Sequence, residues 1–113
     1  RVKVLSGNDT WTLALLALGG SGVISVVANI VPRLMARLVG EFLAGNAKKA
    51  KNLHYRLLPL MKAMELEVNP VPVKTAMVML GMIEGGVRQP LSAMEPANVK
   101  TLRAVLKKHK LVK

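Results

Sequence analysis

The sequence predicts an α/β fold: part of a parallel barrel followed by helices alone. Three observations support this fold class. A short apolar segment without charge follows a glycine turn within residues 19–29. An earlier segment with strand character ends in a turn at residues 6–9, and a helix-length stretch separates the two segments. Beyond residue 31 the patterns are helical only, so the chain reads strand, helix, strand, helix, as parallel α/β proteins do.

The predicted sheet is incomplete. Two strands cover neither edge of a sheet, and a closed barrel of this type needs eight strands and roughly 250 residues. The chain has 113 residues and begins inside the first predicted strand, at Arg1, without an initiator methionine. We therefore expect it to be a fragment of a larger barrel.

The first βα unit follows from local signals. Val2–Ser6 alternates loosely in polarity and predicts a strand, which the turn at Gly7–Asp9 ends. Thr10 is the predicted N-cap of a short apolar helix over Trp11–Leu18, which Gly19-Gly20 closes.

The second unit begins with Val23–Val27, which is β-branched at nearly every position and bears no charge. A strand that is apolar on both faces is expected to be buried on both faces, as in a parallel sheet. Pro32 suits the first turn of a helix, where its missing N–H would have no partner. Apolar residues at helical spacing then predict an amphipathic helix that Gly45 ends.

The remaining residues predict helices. Asn46 is the predicted cap of a helix that Pro59 should kink. The prolines within residues 69–72 break the chain again, and a helix over Val73–Leu80 follows. A final amphipathic helix is predicted over Pro96–His109.

Composition limits the class of protein. The chain is 51% hydrophobic and contains no cysteine, which excludes disulfides and suits a reducing cytoplasm. The longest apolar stretch, Leu13–Val31, is interrupted by glycine, serine and asparagine, so a transmembrane span is not expected.

The net charge of +11 lies mainly in residues 46–113, which carry thirteen basic and four acidic side chains. Such a region could form a non-enzymatic helical module that binds nucleic acid or anionic lipid. No aromatic residues interleave with the basic ones, which favours a solvated helical face instead.

Two residues are candidates for chemistry. Lys74 stands among apolar neighbours, where desolvation would lower the pKa of a nucleophilic amine, but one amphipathic lysine near a helix start normally reaches solvent. Asp9 follows the first strand at its carboxyl end, where barrel enzymes place their active sites. Asp9 could equally cap the helix that begins near Thr10.

The other polar residues form no site pattern. His54 and His109 have no second ligand at the next helical turn, so we expect no metal site. Glu65 and Glu67 end a predicted helix and have no partner pattern. The turn at Gly19–Gly22 precedes a strand and not a helix, so it is not expected to bind phosphate. The chain alone contains no complete catalytic site.

Three segments together resemble the dihydrodipicolinate synthase (4-hydroxy-tetrahydrodipicolinate synthase) family, within the class I aldolase superfamily of N-acetylneuraminate lyase. They are Leu5-Ser6-Gly7-Asn8-Asp9, the stretch from Leu18 to Val26, and Asn69-Pro70-Val71-Pro72-Val73-Lys74. The resemblance covers the whole chain. It implies the C-terminal part of a TIM (β/α)8 barrel: residues 1–45 as its last two βα units and residues 46–113 as a C-terminal three-helix extension.

The resemblance implies a lyase that condenses pyruvate with aspartate semialdehyde in lysine and diaminopimelate biosynthesis. Its Schiff-base lysine and its catalytic tyrosines are expected upstream of Arg1, so Lys74 does not replace that lysine and the fragment alone is expected to be inactive. The family implies a cytoplasmic homo-oligomer, a tetramer or a dimer, without cofactor, metal, nucleic acid or membrane. Another pyruvate-dependent aldolase, of the N-acetylneuraminate lyase or keto-acid type, is the enzymatic alternative.

The resemblance also implies roles for five residues of this chain. Ile24 would contact bound pyruvate, largely through its backbone carbonyl, and Gly7 would leave room beside it. Asn8 and Asp9 are candidate pocket residues, although the family often has two acids where this chain has Asn8 and then Asp9. Leu18 matches a position at the weaker subunit contact of family tetramers.

Overall fold

A computed structural model describes residues 2–113 of the chain. The chain divides into two compact units, Arg1–Met61 and Lys62–Lys113. The described residues form two short strands, five α-helices and two 3₁₀ turns: β1 (Leu5–Ser6), the first 3₁₀ turn (Asp9–Trp11), α1 (Thr12–Ala17), β2 (Gly22–Val23), the second 3₁₀ turn (Val27–Asn29), α2 (Pro32–Leu43), α3 (Ala47–Ala63), α4 (Val71–Met79) and α5 (Pro96–Lys108).

The two strands form the predicted parallel pair. Ser6 lies opposite Val23 in the ladder. Backbone hydrogen bonds extend the pairing at both ends, since Ser21 N–H donates to Val4 O and Ile24 N–H donates to Ser6 O, each at 2.8 Å. The parallel β-α-β order read from the sequence is therefore confirmed.

Both strands are shorter than predicted. The predictions ran over residues 2–6 and 23–27, whereas each strand has two residues. At β2 the reason is a side chain, because the backbone N–H groups of Val26 and Val27 donate to the carboxylate of Asp9. These N–H groups are therefore not available for pairing with another strand, and the chain continues into the second 3₁₀ turn.

Burial on both faces of the second strand was also predicted, and this is wrong for the described chain. Val27 is fully buried, but Ile24 is 69% exposed. Each strand has a single neighbour here. The apolar surface of the sheet is thus covered only in part.

In the first unit, α1 packs against α2. Pro32 lies in the first turn of α2, as predicted. Gly19 follows α1 at φ +94° and Gly45 follows α2 at φ +86°, so both predicted glycine stops are confirmed. The buried apolar residues up to Met61 are Leu16, Val27, Ile30, Val31, Met35, Leu38, Ala50, Leu53, Leu57, Leu60 and Met61.

Around the start of α3, Asn46 Nδ2 donates to Glu41 Oε2 at 2.8 Å. Lys49 Nζ approaches the same carboxylate oxygen at 3.9 Å. Pro59 lies inside α3. Capping by Asn46 and a kink at Pro59 stay predictions.

In the second unit, α4 begins at Val71, two residues before the predicted start at Val73. The earlier start is possible because Pro72 fits the first turn, where an N–H would have no partner within the helix. α4 packs against α5, whose observed start at Pro96 is the predicted one. The buried apolar residues of this unit include Ala63, Met64, Val71, Val73, Ala76, Met94, Leu102 and Leu106.

Within residues 2–113, none of the helices has the length and apolar content needed to cross a bilayer.

Candidate functional site

The carboxyl ends of β1 and β2 meet at one edge of the sheet. Gly7 follows β1 and Ile24 follows β2, and the bond from Ile24 N–H to Ser6 O joins the two strand ends. A Cβ added at Gly7 would have no atom within 4 Å. The edge therefore offers open space at Gly7 beside the exposed side chain of Ile24.

Asn8 organises the turn after β1. Its Oδ1 accepts hydrogen bonds from the backbone N–H of Thr10 at 2.8 Å and from the Thr10 hydroxyl at 2.6 Å. The hydroxyl of Ser6 donates to the Asn8 carbonyl at 2.7 Å. The cap of this turn is thus Asn8, and the prediction of Thr10 or Asp9 as the cap was wrong. An Asn side chain bonding the backbone two residues on is a recognised turn signal, which was available in the sequence.

Asp9 makes a longer-range connection. Its side chain is only 6% exposed. Oδ2 accepts hydrogen bonds from Val26 N–H at 3.1 Å and from Val27 N–H at 2.9 Å. Oδ1 is buried and has no hydrogen-bond partner among residues 2–113. The Asp9 carboxylate, in the first 3₁₀ turn after β1, therefore holds the start of the second 3₁₀ turn, just beyond β2.

Two local hydrogen bonds, each made by a side chain within residues 25–29, also stabilise the second 3₁₀ turn. Ser25 Oγ accepts a hydrogen bond from Ala28 N–H at 2.9 Å, and Asn29 Nδ2 donates to Val26 O at 2.9 Å. The path from β2 to α2 is consequently a fixed turn and not a strand continuation.

Leu18 is the C-cap residue of α1, and its side chain is 85% exposed. Trp11, just before the same helix, is 70% exposed. The turn after Leu18 is tight, because a Cβ added at Gly20 would lie 2.8 Å from Leu15 O. Exposed apolar side chains thus lie at both ends of α1, on a constrained backbone.

Lys74 lies in α4, in the second unit, and is half-buried. It lines a groove of about 600 Å³ with Thr75, Val78, Gln89 and other residues of α4, α5 and the loop between them. No histidine or acidic side chain of residues 2–113 lines this groove. The groove therefore supplies no general base to activate Lys74 as a nucleophile.

The two histidines do not form a metal site. His54 is half-buried, and burial lowers its pKa. His109 Nδ1 lies 2.9 Å from Val105 O, one turn earlier in α5. No cluster of three histidine or acidic residues able to hold a metal ion exists among residues 2–113.

Glu67 has a structural contact that sequence reasoning missed. Its Oε1 accepts hydrogen bonds from Glu95 N–H at 2.9 Å and from Asn98 Nδ2 at 2.8 Å. Both partners lie at the start of α5. A carboxylate at the N-terminus of a helix stabilises the helix, because the free backbone N–H groups carry partial positive charge there.

The parallel strand pair with helices around it defines an α/β protein, and comparison with known proteins gives its family. Residues 1–109 match the dihydrodipicolinate synthetase family. The chain belongs to this family.

Individual relatives agree with the family match. The chain is 56% identical over 105 residues to the 4-hydroxy-tetrahydrodipicolinate synthase of Methanothrix thermoacetophila, covering 93% of the chain and 36% of the relative. A solved dihydrodipicolinate synthase superposes with a TM-score of 0.96 at 52% identity, covering 98% of this chain and 38% of the other.

A third relative was solved with a ligand. It is the chloride-inhibited dihydrodipicolinate synthase from Acinetobacter baumannii complexed with pyruvate, with a TM-score of 0.94 and 34% identity. The alignment covers 98% of this chain and 38% of that one. The chain thus spans little more than a third of the length of the relatives that it matches.

Proposed function

We propose that this chain is the C-terminal part of a 4-hydroxy-tetrahydrodipicolinate synthase, a lyase that condenses pyruvate with aspartate semialdehyde. The observation that carries the proposal is the family match over residues 1–109, together with the coverage of little more than a third of each relative. These comparisons favour the synthase over an N-acetylneuraminate lyase, a keto-acid aldolase or a basic binding module. The pathway it would serve is lysine and diaminopimelate biosynthesis.

Within the whole enzyme, residues 1–45 would form the last two βα units of the TIM barrel and residues 46–113 the three-helix extension. The short parallel pair with uncovered apolar residues supports this placement, because a barrel strand has a neighbour on each side. Leu5 and Ile24 are exposed in the described chain, and preceding strands would cover part of that surface.

The strand-end edge would form one wall of the pyruvate pocket. Ile24 would contact pyruvate, largely through its backbone carbonyl, and the open space beside Gly7 would admit the substrate. Asn8 and Asp9 lie at the same edge, and their side-chain oxygens accept hydrogen bonds from backbone N–H groups and from the Thr10 hydroxyl. A structural contribution to the pocket is therefore what their geometry supports.

The covalent chemistry would come from residues upstream. The amine of an upstream lysine would attack the pyruvate carbonyl, and loss of water would give a Schiff base; loss of a methyl proton would give the enamine that adds to the aldehyde. Lys74 is not that lysine, since no acid or histidine among residues 2–113 lines its groove in the second unit. The reaction needs no metal or organic cofactor, and residues 1–113 alone would be inactive.

The whole enzyme would be a cytoplasmic homo-oligomer, a tetramer or a dimer. Leu18 would lie at a subunit contact, and its exposure of 85% leaves it available for one. Neither nucleic acid nor a membrane would be a partner.

Trapping of the Schiff base tests this proposal. The full-length protein would be incubated with pyruvate and borohydride, and its mass would then be measured. We expect one reduced pyruvate adduct per chain, on a lysine upstream of residue 1, and consumption of aspartate semialdehyde with pyruvate. An adduct on Lys74, or turnover of N-acetylneuraminate without aspartate semialdehyde use, would overturn the proposal.

A further inference from the structure

We propose that Asp9 is a positioning residue that fixes the backbone of Ile24 at the pocket wall. This inference rests on the proposed function, because it concerns how pyruvate is held. It assigns Asp9 a role through the second 3₁₀ turn and not through contact with substrate.

The first step of the argument is the geometry of the carboxylate. Asp9 begins the first 3₁₀ turn, three residues after β1, and its Oδ2 accepts hydrogen bonds from the N–H groups of Val26 and Val27, at 3.1 and 2.9 Å. Hydrogen bonds to an ionised acceptor are roughly twice as strong as those between neutral groups. One buried side chain thus ties the turn after β1 to the chain just beyond β2.

The second step is the position of Ile24 between two fixed points. Its N–H donates to Ser6 O at 2.8 Å, which anchors the residue on its N-terminal side. Two residues later, the Val26 N–H is anchored on Asp9. The backbone carbonyl of Ile24 lies between these anchors, one of which comes from β1 and the other from the 3₁₀ turn that follows β1. Its direction is therefore set largely by Ser6 and Asp9.

The third step concerns alternatives for Asp9. The side chain is 6% exposed, so it is not a solvated surface charge. It does not cap its own turn, because Asn8 does so. The N–H groups of Val26 and Val27 are the hydrogen-bond donors that the structure gives it. The contacts of Asp9 therefore indicate that it stabilises the second 3₁₀ turn.

Steady-state kinetics of the full-length enzyme test the proposal. Asp9→Asn keeps an oxygen acceptor for the two N–H groups, whereas Asp9→Ala removes it. We expect Asp9→Ala to raise the KM for pyruvate by about tenfold or more, because small displacements of a binding group are costly. The KM for aspartate semialdehyde should change much less. Asp9→Asn should restore the KM for pyruvate to within about threefold of the parent value, since a neutral acceptor is weaker than a charged one.

Hydrogen–deuterium exchange gives a readout independent of turnover. Amides of residues 26 and 27 should exchange faster in Asp9→Ala and close to the parent rate in Asp9→Asn. A stability control is Glu67→Ala, which removes a carboxylate that accepts two hydrogen bonds in the second unit. It should lower the melting temperature while leaving the KM for pyruvate unchanged.

The outcomes separate this inference from the proposed function. If the parent enzyme forms no borohydride-trapped pyruvate adduct, the proposed function fails. If the parent forms the adduct but Asp9→Ala keeps the parent KM for pyruvate, the positioning role is wrong. It is also wrong if Asp9→Asn is as impaired as Asp9→Ala while the exchange of residues 26 and 27 is normal, because the charge would then act directly on substrate. If Asp9→Ala does not fold, the Asp9→Asn kinetics and exchange decide the question.

Discussion

Lys110 occupies at the end of α5 the position that Gly45 occupies at the end of α2. Both residues follow the C-cap with a left-handed backbone, at φ +57° for Lys110 and φ +86° for Gly45. At α5 the helix is closed by bonds from Lys110 N–H to Lys107 O at 2.9 Å and from Leu111 N–H to Leu106 O at 3.0 Å. This pair of bonds is the Schellman motif, which favours glycine at the left-handed position.

Substitution of Lys110 by glycine should stabilise the protein. The left-handed conformation costs an L-residue other than glycine roughly 1 kcal/mol or more, and glycine is free of that cost. We expect Lys110→Gly to raise the free energy of unfolding by about 1 kcal/mol, measured by urea denaturation. Lys100→Gly is the matched control at an exposed position inside α5 and should lower it by about 1 kcal/mol. A Lys110→Gly protein no more stable than the parent would contradict the prediction.

Removal of the Glu67 carboxylate should destabilise the second unit. Glu67→Ala leaves Glu95 N–H and Asn98 Nδ2 without their acceptor. Hydrogen bonds to charged groups contribute about 1.5–3 kcal/mol, and we expect a loss of about 2 kcal/mol in the free energy of unfolding. Glu67→Gln should lose less, because its amide oxygen still accepts. Glu84, an exposed acid of the same unit, gives the control: Glu84→Ala should leave stability within about 0.5 kcal/mol of the parent.

Helix ends were predictable from the sequence because their signals are local. Gly19 and Gly45 are predicted helix stops, and each adopts a positive φ after its helix, at +94° and +86°. Pro32 and Pro96 were likewise placed in first turns, where the structure has them. These positions depend on the conformational range of one residue and not on distant contacts.

The length of β2 and the contacts of Asp9 were not predictable in the same way. Val23–Val27 has strong β propensity, but the last of these N–H groups bind a carboxylate 17 and 18 residues earlier. Such a contact depends on how the strands pair, so the local sequence does not predict it. The proposed roles of Gly7 and Ile24 come from the family resemblance, because the spacing of residues alone does not indicate them.

Alanine substitution should lower stability at Gly20 and leave it nearly unchanged at Gly7. A Cβ at Gly20 would lie 2.8 Å from Leu15 O and 2.9 Å from Leu15 Cγ, so the turn after α1 must shift. We expect Gly20→Ala to lower the free energy of unfolding by about 1–3 kcal/mol. A Cβ at Gly7 meets nothing within 4 Å in the described chain, so Gly7→Ala should leave stability within about 0.5 kcal/mol.

The effect of Gly7→Ala should instead be on substrate binding. The added methyl group would occupy space that the proposed pocket leaves for pyruvate, so the KM for pyruvate of the full-length enzyme should rise. Urea denaturation and steady-state kinetics on the same preparation measure both quantities. An unchanged KM for pyruvate would argue against Gly7 as part of the pocket wall.

Stability should fall on acidification through His54. Burial lowers the pKa of His54 below its ordinary value of 6.5, so the unfolded chain binds the proton more tightly than the folded protein does. Stability therefore rises with pH across the interval between the folded pKa and 6.5. The contribution of His54 is fully present above pH 6.5 and is lost as pH falls through the folded pKa. His54 Nδ1 is buried and has no hydrogen-bond partner among residues 2–113, so protonation there would place an unsatisfied donor in the interior.

His54→Gln removes this titration, and the difference in free energy of unfolding between parent and variant, measured from pH 8 to pH 5, should shift in favour of the variant as pH falls. A difference that stays constant across that range would show that His54 does not titrate differently in the folded and unfolded states.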